Sequence, residues 1–89
     1  MPYIKQHRRE SIEEWFNPLR PRIHTLSPGE INYLITQILE EQVKVYSDGG
    51  YRGLALILGG IEAVKMEFYR RRIAPYEDAK AKENGDVYA

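Results

Sequence analysis

Cysteine is missing altogether from this chain of 89 residues, which excludes a disulfide framework and a thiolate metal site. Histidine is scarce. His7 and His24 lie far apart in no spacing that zinc sites use, and solvated or helix-capping roles account for both. Charge of one sign is not in excess either, because 13 Lys and Arg balance 13 Asp and Glu. The global field that draws a chain to nucleic acid or to an anionic membrane is therefore absent, while local patches remain. Long apolar runs are lacking as well. The longest, residues 53–61, is bounded by Arg52 and Glu62 and falls well short of the roughly 20 residues that cross a bilayer. The opening residues, Met1 to Arg9, are too polar for the apolar core of a signal peptide. These absences lead us to expect a cytoplasmic protein with no membrane association, no bound metal and no cofactor.

What the chain does contain is helical grammar. At Leu26-Ser27-Pro28-Gly29-Glu30-Ile31, Ser27 is placed to cap a helix start, Pro28 suits the first helical position and Glu30 closes a capping box. Leu26 and Ile31 stand where a hydrophobic staple would. From there Ile31, Leu34, Ile35, Ile38, Leu39 and Val45 or Tyr46 recur at three- and four-residue intervals, which predicts an amphipathic helix over 28–46. Ser47-Asp48-Gly49-Gly50 then offers a stop and a new cap, and so short a link turns a second helix back along the first.

That second arm is expected over 51–73, with Leu54, Ile57, Leu58, Ile61, Val64 and Phe68 on one face and Ala55, Gly59 and Ala63 on another, Gly60 beside them. Two internal glycines cost about 1 kcal/mol each relative to alanine, so the small face is expected to meet another backbone. An arm of that length spans roughly 35 Å, against a diameter near 30 Å for a compact globule of this size. Such a chain buries only about 60–65% of its unfolded surface. Together these imply a homo-oligomer, taken as a dimer, with Leu54, Ala55, Gly59, Gly60 and Ala63 at its interface.

The flanks are less regular. Residues 9–16 predict a short helix with Ile12, Trp15 and Phe16 inward, broken or restarted by Pro18 and Pro21. Tyr46 and Phe68 are likewise placed in the core. After Ile73, Ala74-Pro75 favours a break and a last helix closed by Asn84-Gly85. The spacings Glu77–Lys80 and Asp78–Lys82 suit ion pairs of a few tenths of a kcal/mol. No stretch alternates as a strand. The expected class is all-α, one helical domain over 1–89: an irregular N-terminal helical segment (1–26), a central antiparallel hairpin (28–73) and a short helix with tail (75–89).

The carboxylates Glu40, Glu41, Glu62 and Glu67 lack the Glu-x-x-His spacing of di-metal bundles, and a solvated face accounts for them. Glu10-Ser-Ile-Glu13 and Glu83-Asn-Gly-Asp86 match, in form only, the magnesium motifs of all-α nucleotide pyrophosphohydrolases, the enzymatic alternative. Residues 48–53 could present amides to an anion but lack the Gly-Lys-Ser/Thr ending of a phosphate loop. Tyr69-Arg70-Arg71-Arg72 with Lys5, His7, Arg8 and Arg9 could form a nucleic-acid surface. Helix-dipole complementarity and pairing with Glu67 explain the arginines more simply.

At Glu67-Phe68-Tyr69-Arg70-Arg71, Ala74-Pro75-Tyr76-Glu77-Asp78, Lys80 and Glu83-Asn84-Gly85-Asp86-Val87-Tyr88 the chain resembles a family of short uncharacterised proteins of phage and prokaryotic genomes. Met1-Pro2-Tyr3-Ile4-Lys5-Gln6 and Ile31-Asn32-Tyr33-Leu34-Ile35-Thr36 resemble it too. The resemblance implies a small intracellular accessory protein and carries over no activity. The residues expected to meet a partner are Tyr69, Arg70, Arg71, Tyr76, Glu77, Asp78, Asn84, Asp86 and Tyr88, and the function expected is non-enzymatic interaction.

Overall fold

A computed structural model describes residues 2–46 and 50–88. Its regular structure is all helical, as the periodicities predict. The chain divides into two compact units, Pro2–Ile57 and the stretch from Leu58 onward.

In the first unit, α1 (Gln6–Phe16) runs into a 3-10 turn (Asn17–Leu19) and then α2 (Arg20–Ile23). The expected interruption is there, and its cause is proline: Pro18 and Pro21 each stand at the opening of a new helical segment, where a missing N–H costs least. Arg20 ties the joint together. Its Nε donates to Asn17 Oδ1 at 2.7 Å, and its guanidinium lies 4.7 Å from the centre of the Phe16 ring. The helix begins three residues earlier than the sequence suggests, at Gln6, with Arg9 Nε donating back to the Ile4 carbonyl at 2.7 Å.

The start of α3 (Pro28–Tyr46) is the predicted capping box. Glu30 N–H donates to Ser27 Oγ at 3.2 Å, Ser27 N–H donates to Glu30 Oε1 at 2.8 Å, and Ile31 N–H makes the first helical bond to the Ser27 carbonyl. The Ser27 amide, and after it the hydroxyl, hold the Glu30 carboxyl below its ordinary value. Residues 47–49, on which the predicted hairpin turn rests, lie outside the described residues. The first turns of α4 (Tyr51–Phe68) complete this unit.

In the second unit α4 does not break before Pro75. It passes through a π-helical turn (Tyr69–Ile73) directly into α5 (Ala74–Asn84). The expected interruption is corrected by a simple device: Ala74 N–H reaches back five residues to the Tyr69 carbonyl. The π turn thus absorbs the hydrogen bond and the carbonyl clearance that proline disrupts in a regular helix. Gly85, at φ +92°, ends α5 where Asn84-Gly85 predicts a stop.

Burial departs from expectation. No hydrophobic side chain among the described residues is buried; Gly53 is the sole buried residue of α4. Trp15 is 62% exposed and Phe68 60%, Tyr46 is exposed, and of the rings expected in the core only Phe16 is half-buried. Helical periodicity aligns apolar groups on one face, but burial also needs a second surface.

Candidate functional site

The site is built where the C-terminal helix reverses into its tail. Gly85 turns the backbone, and Tyr88 N–H donates to Asp86 Oδ1 at 2.8 Å, an Asx-type bond that curls the last residues toward α5. Between the π turn, α5 and this tail lies a groove of about 490 Å³. Tyr69 contributes from the π turn, Glu77, Asp78, Lys80 and Ala81 from α5, and Gly85, Asp86, Val87 and Tyr88 from the tail. Of the residues the sequence singled out, Tyr69, Glu77, Asp78, Asp86 and Tyr88 share this groove.

The others lie elsewhere. Arg70 is occupied by Glu67, with Nη2 donating to Oε1 at 2.6 Å and Nε to Oε2 at 3.4 Å, the pairing anticipated for that spacing. Arg71 is exposed on the π turn and Asn84 is the last residue of α5. Tyr76 presents its ring to the Lys80 ammonium 5.9 Å away.

Sequence reasoning missed Lys80, Ala81, Gly85 and Val87 as lining residues. The available signal was the left-handed glycine: Gly85 brings the tail back over residues three and four positions apart on α5, here Glu77, Asp78 and Ala81.

Of two predicted ion pairs, one is replaced and the other is not seen among the described residues. Lys80 turns to Glu83 at 3.5 Å rather than to Glu77, and no ion pair joins Asp78 to Lys82. A lysine near the end of a helix finds a carboxylate on either side, and exposed pairs differ by only tenths of a kcal/mol. The consequence is that Glu77 and Asp78 line the groove with no ion pair to either among the described residues.

A second depression of about 480 Å³ is largely apolar and is lined by Met66, Phe68, Tyr69 and Ile73 with the stems of Glu62 and Lys65. Tyr69 borders both. On α4, Leu54, Ala55, Gly59 and Gly60 are exposed and Ala63 is half-buried. A Cβ built on Gly59 or Gly60 would meet nothing within 4 Å.

Among the described residues no three His, Asp or Glu side chains are gathered as a metal site would need. Glu41, Glu62 and Glu67 are held by Lys44, Lys65 and Arg70, Glu83 by Lys80, and Asp86 by the Tyr88 amide. Residues 48–53, read as a helix connection rather than an anion loop, fall partly outside the described residues. No described helix is long and apolar enough to cross a membrane.

The described fold is all-α, with a polar recess lined by the π turn, α5 and the tail. The chain belongs to the family DUF6899, a domain of unknown function, whose model matches residues 1–87. No curated protein and no solved structure matches it.

Proposed function

We propose that this protein is a non-enzymatic helical interaction module that works in the cytoplasm as a homo-oligomer, a dimer in the simplest case. It forms one functional domain of the phage-related accessory kind that the sequence resemblance implies. The observation that carries this reading is the uncovered α4. Leu54, Leu56, Leu58, Val64, Met66 and Phe68 are each about half to two-thirds exposed on a helix that no described part of the chain buries. Large apolar side chains exposed at several positions along one helix support a reading of it as an association surface. The open space over Gly59 and Gly60 supports a second backbone at the small face, because close helix approach is the usual compensation for helical glycine.

Gly59→Ala together with Gly60→Ala tests the reading. In an isolated helix the pair gains roughly 2 kcal/mol of helix propensity. If a second copy packs on the glycines, the added methyls collide with it and association weakens although the helix is favoured. Sedimentation velocity on the double variant should therefore show a shift toward monomer. Unchanged or tighter association with higher thermal stability would contradict this face as the interface.

A further inference from the structure

In the C-terminal unit two basic and two acidic residues flank Pro75. Arg71 and Arg72 are exposed on the π turn and make no ion pair among the described residues, the neighbouring Glu67 being bound by Arg70. Glu77 and Asp78, two short steps along the same continuous helix, line the groove and make no ion pair among the described residues. The rings of Tyr69 and Tyr88 border those two carboxylates, and a ring face together with a carboxylate is what a guanidinium binds best.

The order of these charges is itself informative. A two-fold axis crossing the helix between Ala74 and Pro75, with a second copy running antiparallel, brings residue 71 level with residue 78 of that copy and 72 level with 77. Both matches are Arg against acid. Arg71 and Asp78 are also seven residues apart, about two turns, so they stand on roughly one side of the helix. In a two-fold contact each match occurs twice, because residue i meets j and j meets i. Further out the same axis sets Glu67 level with Lys82, again opposite in sign. The chain as a whole is neutral, so no long-range repulsion opposes a second copy.

We infer that the tyrosine-bordered groove of one chain receives Arg71 and Arg72 of a second copy, in an antiparallel two-fold contact centred on Ala74–Pro75. This rests on the homo-oligomer reading and adds to it a contact between copies at the C-terminal helix, separate from the Gly59–Gly60 face, with its occupant named. It also gives the π turn a role: by carrying the helix through Pro75 without a break, it keeps the basic and acidic stretches on one continuous element.

Charge reversal in complementary pairs tests this on the full chain. Arg71→Glu with Arg72→Glu is one variant and Glu77→Arg with Asp78→Arg the other. All four positions are exposed, and circular dichroism verifies retained helix. Each variant alone should dissociate at least about tenfold more readily than wild type, since like charges then face each other across the axis. An equimolar mixture should recover association, as a heterodimer visible by native mass spectrometry. Association of the wild type should weaken as salt rises from about 0.05 to 0.5 M. If wild type is a dimer and both variants dimerise as well as it does, the groove contact is wrong while the homo-oligomer stands. Monomeric variants whose mixture stays monomeric overturn the contact too. A monomeric wild type removes the homo-oligomer itself.

Discussion

Ser27 and Glu30 show how much a pair of side chains can fix. Their reciprocal bonds satisfy two amides that the start of α3 would leave unpaired, so Ser27→Ala should lower stability by about 1 kcal/mol in denaturant unfolding. Because the Glu30 carboxyl is held below its usual value in the folded chain, its contribution is complete above the unfolded carboxylate value. It is lost as pH falls through the folded one. Helicity of the wild type should therefore decline on acidification, and Ser27→Ala should flatten that decline; an identical acid profile in the two would contradict the assignment. Gly85 is the other residue with a conformational duty. At φ +92° a Cβ is strained whatever space surrounds it, so Gly85→Ala should cost on the order of 1–3 kcal/mol locally. Its signature is faster amide exchange at residues 86–88 with α3 unaffected.

At the scale of elements, what could be read from sequence was whatever depends on neighbours along the chain. The capping box, the proline restarts in the N-terminal segment and the Asn84-Gly85 stop all involve groups within four residues, and each stands where the pattern places it. The π turn was not legible. Pro75 announces a conflict in the helix, but nothing local says whether the conflict ends the helix or is absorbed by a five-residue hydrogen bond. The Lys80 partner was misjudged for a related reason, since Glu77 and Glu83 are both in reach and the energies barely differ. The groove was half legible. Tyr69, Glu77, Asp78, Asp86 and Tyr88 stood out as polar groups and rings without a packing duty, whereas Lys80, Ala81 and Val87 join them through the tail reversal at Gly85. Core placement failed most clearly, at Trp15, Tyr46 and Phe68. Periodicity tells which side chains share a face and is silent about what covers it.

For the whole molecule, the absence of any buried hydrophobic side chain among the described residues is the fact that the proposed function must answer. A chain of this size has little stability to spare even with a full core, and it has no cysteine to supplement one. If the proposed homo-oligomer forms, association contributes to folding, and thermal stability should rise with protein concentration. The measurement that bears most directly on this is sedimentation equilibrium of the wild-type chain at micromolar concentration. A homo-oligomer predicts a mass of twice the 10.4 kDa chain, or a higher multiple, falling toward a single chain only on dilution. A concentration-independent mass of 10.4 kDa with cooperative unfolding would contradict it.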